Sequence, residues 1–321
     1  MTPLSDAAVA RLRDAIDRPA LPHRYEPVDV IGRGGMGVVW RARDTLLHRD
    51  VAVKVIASHL PGDELAARLT REARIVARLE HPGIVPVYDV GTLDDGRAWY
   101  VMRLVIGQRL DVAAAGTVSR GDLLRIVERL CDTVAYAHAH GVVHRDLKPG
   151  NVMLGPFGEV LVLDWGIARE RGGAGASDSV TLHAEPRAIT DDVVTHSGTV
   201  LGTPGYMSPE QAAGGEVDER SDVFGLGAIL RDLLAVHPDV VPRPLAAIRD
   251  RATALRADER YASPIALRDD LRRFLDGARV TAHRENALET VARVARVYRT
   301  PLLLILAYVA MRAAFLLWRR F

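Results

Sequence analysis

Along the chain the spacing of apolar positions changes character twice. Residues 5–17, SDAAVARLRDAID, carry helical spacing that Pro19 and Pro22 close. From Tyr25 the period shortens to strand-like runs, 28-VDVIGRG, 37-GVVWRAR and 51-VAVKVI. Residues 63–80 return to helical spacing through Leu65, Leu69, Ile75, Val76 and Leu79, and His81-Pro82-Gly83 stops them. Two further strand-like runs, 84-IVPVYDVGTL and 97-RAWYVMRLV, flank the hairpin signal Asp94-Asp95-Gly96. Five strands and one helix predict a small β-rich lobe, which 107-GQRL leaves. Beyond 120 helices dominate, over 122–140 (closed by Gly141), 221–235, 244–256 and 264–276, with short strands at 152-VML and 160-VLVL. Residues 170–200 have little periodicity and read as a mobile loop, and no internal repeat is visible. The expected class is α+β in two lobes. A nearly all-apolar run follows at 301–318, PLLLILAYVAMRAAFLLW.

Composition adjusts this picture only in places. The 321 residues can bury a sizeable core, and a formal net charge of +1 gives no bulk attraction to nucleic acid, so no nucleic-acid partner is expected. A lone cysteine, Cys131, excludes an internal disulfide. Residues 1–22 lack the apolar core of a secretion leader. Of 42 basic residues only Lys54 and Lys148 are lysine, which leaves 42 − 2 = 40 arginines.

Those two lysines lie inside motifs. Gly32-x-Gly34-x-x-Gly37-x-Val39 joins two strand-like runs, so it is a glycine-rich hairpin and not the strand-to-helix turn of a dinucleotide fold. Glycines there let backbone approach phosphate, although an ordinary hairpin would also use them. Lys54 follows on the next strand, and Glu72 sits mid-helix where it can reach back to it. Then come 144-HRDLKPGN-151, 164-DWG-166 and 202-GTPGYMSPE-210.

In that order these motifs resemble the protein kinases, of the bacterial serine/threonine type related to eukaryotic kinases. The resemblance covers residues 25–277, with a small lobe over 25–105 and a helical lobe over 106–277. Residues 1–24 would precede it as a leader helix and linker, and 278–300 would follow as a juxtamembrane linker or helix.

The resemblance implies ATP and Mg2+ (Mn2+ as the alternative ion) as cofactors and protein serine or threonine hydroxyls as acceptors. It implies that Ile31, Gly32, Gly34 and Gly37 cover the nucleotide. Val39 and Ala52 would close on adenine from above and Met153 from below, with Met102 behind. Backbone groups of Arg103 and Val105 would bond the base. Lys54, held by Glu72, would grip the α- and β-phosphates, Asp164 and Asn151 would hold metal, Asp146 would take the acceptor proton, and Lys148 would meet the γ-phosphate. Thr203 would help form the acceptor pocket. Glu210 with Arg260 would close the activation segment, and Asp222 would anchor the catalytic loop. Arg145 beside Asp146 implies control by a phosphate on Thr195, Ser197 or Thr199. Trp165 stands where the family carries Phe, Arg103 where many members carry an acid, and the stretch after Leu234 is short.

The tail gives an expectation of a single membrane span over 301–318, since 18 helical residues reach about 27 Å against a hydrocarbon core of ~30 Å, with an interfacial helix or a hydrophobic helix docked on another protein as the alternatives. Arg293, Arg296 and Arg299 before it predict a kinase on the cytoplasmic side of the cell's inner membrane. No extracellular sensor is expected beyond it. Protein substrates, the membrane and a homodimer for trans-autophosphorylation are the expected partners. The alternatives are a membrane-tethered pseudokinase scaffold and a small-molecule phosphotransferase of related fold.

Overall fold

The computed structural model describes residues 18–34, 37–56, 70, 73–114, 118–165, 169–170, 205–236, 240–297 and 299–318. The expected helix at 5–17, half of the helix expected at 63–80, nearly all of the 170–200 loop, and the residues Glu72, Thr195, Ser197, Thr199 and Thr203 lie outside the described residues.

Five antiparallel strands make the small lobe: β1 (Tyr25–Gly34), β2 (Gly37–Asp44), β3 (Arg49–Ile56), β4 (Val87–Thr92) and β5 (Ala98–Arg103), in the order β1-β2-β3-β5-β4. β3 is central and is buried continuously from Val51 to Ile56. One face, Val51, Val53 and Val55, packs with Tyr25, Trp40 and Trp99. Alternation sends Ala52, Lys54 and Ile56 to the other face, which looks onto the cleft. A strand covered on both sides reads in sequence as an unbroken apolar run, and the cation inside that run is conspicuous for that reason. β4 starts at Val87, three residues later than the apolar run suggests. Pro86 has no N–H to give a ladder, its carbonyl takes the Arg103 N–H at 3.1 Å, and Ile84 instead bridges to Val162 in the other lobe.

The larger lobe is built on α1 (Leu110–Ala113), α2 (Arg120–Ala139), α3 (Pro209–Ala212), α4 (Glu219–Val236), α5 (Arg243–Ala252) and α6 (Pro264–Leu275). Its core gathers Leu124, Val127, Leu130 and Val134 of α2 with Leu226, Ile229, Leu230 and Leu233 of α4. The Ser119 hydroxyl caps α2 by accepting the Asp122 N–H, and Gly141 ends the turn beyond it at φ 77°. α5 stops at Ala252, short of the expected 256, because the carbonyls of Ala254 and Leu255 turn to the Arg260 guanidinium. Short strands β6 (Gln108–Arg109), β8 (Val152–Leu154) and β9 (Val160–Val162) form a sheet under the cleft, and β7 (Val142–Val143) pairs with β10 (Arg169–Glu170). The bilobal α+β expectation holds.

After α6 the chain continues through α7 (Ala287–Val297) and α8 (Arg299–Trp318). Among the described residues no helix is long and apolar enough to cross a membrane. The expected span at 301–318 is corrected to a helix with exposed apolar side chains, including Leu304, Ile305 and Leu306. Its apolar run is interrupted by Tyr308 and Arg312, which bond to each other at 3.2 Å.

Candidate active site

The cleft lies between the β3 face and the β6–β8–β9 sheet. In its roof β1 and β2 run in register from Gly32 opposite Val39 to Gly34 opposite Gly37. A Cβ on Gly37 would lie 2.2 Å from the Val55 carbonyl oxygen, so only glycine lets β2 approach β3 this closely. Val39 pairs with Lys54 across the ladder, and Ala52 pairs with Met102 on β5. Met153, on β8 in the sheet below, is half-buried like Met102 and Val39, whereas Ile31 is exposed. At the segment joining the lobes Val105 is half-buried and Arg103 is exposed. The Arg103 N–H is committed to Pro86, and its guanidinium stands 3.7 Å from Glu159 of the β8–β9 turn.

Two charged constellations meet in the cleft. In the first, Lys54 Nζ donates to Asp164 Oδ1 at 2.7 Å. Asp164 adopts a left-handed backbone, φ 56°, a sparsely populated region for a residue with a Cβ. Burial alone would raise its carboxyl, but the Lys54 charge and hydrogen bond hold it below the usual carboxylate range. Glu72, the expected second partner of Lys54, is among the residues not described.

The second constellation is the loop after β7. Asn151 Nδ2 donates to both the main-chain oxygen of Asp146, at 2.8 Å, and its Oδ2, at 3.0 Å. Lys148 Nζ sits 2.8 Å from the same Oδ2. Among the described residues Asp146 Oδ1 accepts no hydrogen bond, so both neighbours bond the same carboxylate oxygen.

Asp222 holds that loop from below. It is buried at the start of α4, where its two oxygens accept the N–H groups of His144 and Arg145, each at 2.8 Å, and the His138 ring nitrogen stands at 2.7 Å. Burial pushes this carboxyl up, but the His138 bond and the loop N–H groups outweigh it and keep it below its ordinary value. Three donors on a buried carboxylate fix the loop backbone, which lets Arg145 hold φ 71°. His144 passes the constraint on. Its Nδ1 accepts the Asp146 N–H at 3.2 Å, so Nε2 carries the proton and donates to the Leu163 carbonyl, next to Asp164, at 3.1 Å. Trp165 is buried against His144 with ring centroids 4.6 Å apart, and its indole N–H reaches the Val162 carbonyl at 3.4 Å. The larger ring therefore fits where the family carries Phe.

Glu210 and Arg260 form a two-point ion pair, both contacts at 2.7 Å, and Ser221 Oγ donates to the same carboxylate at 2.6 Å. Burial would raise the Glu210 carboxyl, yet Arg260 and Ser221 pull it down to about 2. One functional contact escaped the sequence reading. Gln211 completes a reciprocal cap with Ser208 on α3 and also donates to the Arg145 carbonyl at 2.8 Å, tying the segment after the activation loop to the catalytic loop. Its signal was present as Ser208-x-x-Gln211, a helix-start pattern.

A family profile described as "Protein kinase domain" matches residues 25–276. The serine/threonine-protein kinase PknD of Chlamydia trachomatis serovar D is 35% identical over 298 residues, covering 79% of this chain and 32% of its own length. PknB of Mycolicibacterium smegmatis is 36% identical over 290 residues, covering 80% of this chain and 44% of its own. The chain thus spans less than half the length of these curated relatives. Among solved structures, the crystal structure of the Mycobacterium tuberculosis PknI kinase domain aligns with a TM-score of 0.58 at 26% identity, covering 79% of this chain and 97% of that one.

Proposed function

The chain belongs to the protein kinase family, and from that premise we propose that it transfers the γ-phosphoryl group of ATP to serine or threonine hydroxyls of proteins. The observation that carries the reading is the division of labour on Asp146. Lys148 and Asn151 hold Oδ2, and Oδ1 is left to orient an acceptor hydroxyl and take its proton. Lys148 Nζ, already at this carboxylate, is the cation that would meet charge moving onto the transferred group. Lys54 would bind the inner phosphates from the roof.

Among the described residues no group of three or more His, Cys, Asp or Glu could hold a metal ion by itself. Asp164 and Asn151 fit an ion that takes one or two protein oxygens and completes its shell with phosphates and water, which suits Mg2+. Bound there, the ion would neutralise phosphate charge. The side-chain oxygen of Asn151 is available to it because both loop bonds use Nδ2. The base would lie between Val39 and Ala52 above and Met153 below.

We further propose control by autophosphorylation at Thr195, Ser197 or Thr199, with Arg145 as phosphate partner and a transient homodimer as the trans-acting form. Unchanged activity after triple alanine replacement would refute this. For the tail we propose that α8 attaches the kinase to the inner membrane, with both lobes on the cytoplasmic side. Its support is the exposure of Leu303, Leu304, Ile305, Leu306, Val309 and Trp318 on a helix that arginines precede. Recovery of the chain in the soluble fraction of broken cells at low salt would refute this attachment.

The deciding assay is Mg2+-ATP with a generic basic protein, comparing wild type with Asp146→Asn and identifying the phosphorylated residue. Asp146-dependent phosphoserine or phosphothreonine is expected. Equal signal from both proteins, or none from either, would favour the scaffold alternative.

A further inference from the structure

The family match ends at residue 276, but the packing does not. Val280 is 3% exposed and belongs to the core of the large lobe. The carboxylate of Asp270, buried on α6, accepts the N–H and hydroxyl of Thr281 at 2.8 and 2.7 Å, the Ala282 N–H at 3.0 Å and the Tyr261 hydroxyl at 2.9 Å. One carboxylate with four such donors clamps residues 280–282 to the lobe. A second set of bonds fixes α7 to that clamp. Arg293 Nε donates to Glu285 at 2.8 Å, His283 stands 3.0 Å from Glu289, and the Asn286 side chain caps α7 by accepting the Glu289 N–H at 2.8 Å. Arg243, at the start of α5, reaches Glu289 at 3.6 Å. The stretch expected to be a linker or juxtamembrane helix is bonded to the catalytic body as a strap.

The strap presents an apolar face outward. Leu288 and Val291, one helical turn apart on α7, are 81% and 67% exposed. Val240, three residues before Arg243, is 90% exposed. Around this face the chain is basic. Residues 278–300 contain five arginines and two glutamates, 5 − 2 = +3, and Arg279 and Arg284 are exposed. Along the chain α8 begins two positions after α7 ends, and its Leu303, Leu304, Ile305 and Leu306 are exposed. An amphipathic helix with cations at its flanks, continuous with a longer apolar helix, matches the boundary layer of a bilayer that carries negative headgroups. A protein groove would have no need of that continuity or of the surplus positive charge.

We propose that α7 lies in the headgroup layer of an anionic membrane, with Leu288 and Val291 facing the acyl chains and Arg279 and Arg284 facing the headgroups. The strap then docks the base of the large lobe on the bilayer and fixes how the cleft faces it. This rests on the reading that α8 attaches the chain to a membrane, and the test separates the two.

Because Cys131 is completely buried, an environment-sensitive thiol dye placed on Leu288→Cys or Leu306→Cys in the full chain reports one site at a time. Vesicles of phosphatidylcholine with phosphatidylglycerol are compared with pure phosphatidylcholine. Both labels are expected to shift to the blue on anionic vesicles. The shift at 288 should vanish on neutral vesicles and weaken with salt, while that at 306 persists. A shift at 306 without one at 288 overturns the docking proposal and leaves membrane attachment standing. No shift at either site overturns both. A shift at 288 that needs no vesicles and grows with protein concentration assigns the face to a second copy and also overturns it. In parallel, Leu288→Glu with Val291→Glu should lower affinity for anionic vesicles by about tenfold, as expected from converting an interfacial apolar face to acid, without changing kinase activity in solution.

Discussion

Replacing Glu210 by glutamine tests how its ion pair with the buried Arg260 holds the end of the activation segment. The substitution keeps the side-chain shape and removes only the charge. Arg260 has no solvent-exposed side chain, and it bonds the carbonyls of Ala254, Arg220 and Leu255 as well as Glu210. Without Glu210 the guanidinium keeps those dipoles but loses its counter-charge, a situation that costs about 3–5 kcal/mol in buried pairs. The acid side gives a separate magnitude. The carboxyl falls from 4.5 to about 2 on folding, a difference worth about 3 kcal/mol. A carboxyl depressed in the folded state contributes its full stabilisation above the unfolded value, near pH 4.5, and loses it as pH falls toward 2. The gap between wild type and Glu210→Gln should therefore be about 3 kcal/mol at neutral pH and shrink to roughly half at pH 3. Urea melts at a series of pH values measure it. A gap that stays constant with pH would refute the claim that the ionised Glu210 carries the effect, and a gap below about 1 kcal/mol would reduce the pair to the worth of a surface contact.

Other expectations are equally direct. Asp222→Ala removes the acceptor of two loop N–H groups and should lower kcat by at least about a hundredfold, with a far smaller change in the KM for ATP, because the loop that carries Asp146 loses its anchor more than the roof does. Gly37→Ala forces a Cβ against the Val55 carbonyl and should raise the KM for ATP and lower the melting temperature together; a silent variant would contradict the close approach of β2 to β3. Lys148→Arg should keep the charge yet lose most of the turnover, read in steady-state kinetics, because a planar guanidinium is differently directed. Trp165→Phe should fold but lose about 1 kcal/mol or more in thermal melts, as the buried pocket beside His144 is left underfilled.

The site was legible where chemistry forces rare residue types into fixed spacing. Lys54 announced itself as a cation within an apolar strand, and Asp146, Lys148 and Asn151 as a single loop. What stayed hidden depends on distances between segments far apart in sequence. Nothing in the neighbourhood of Asp270 distinguishes it from any carboxylate on a helix, because its meaning is set by the return of Thr281 and Ala282 eleven and twelve residues later. The same holds for β4, whose early residues look like strand until Pro86 and the Ile84–Val162 bridge divert them between the lobes. Apolarity alone also misled over 301–318, where the sequence suggested a span and the helix carries a bonded Tyr308–Arg312 pair.

The near-absence of lysine has a practical outcome. Apart from the chain's amino terminus, the primary amines of this protein are those of Lys54 and Lys148, and each lies within 2.8 Å of a carboxylate in the cleft. An amine-directed acylating reagent, which modifies dozens of sites on an ordinary protein, would here footprint a single cavity. Lys54, with 9% of its side chain exposed, should react more slowly than Lys148 at 27%. The ratio of the two adducts, read by mass spectrometry, would report how far the cleft stands open.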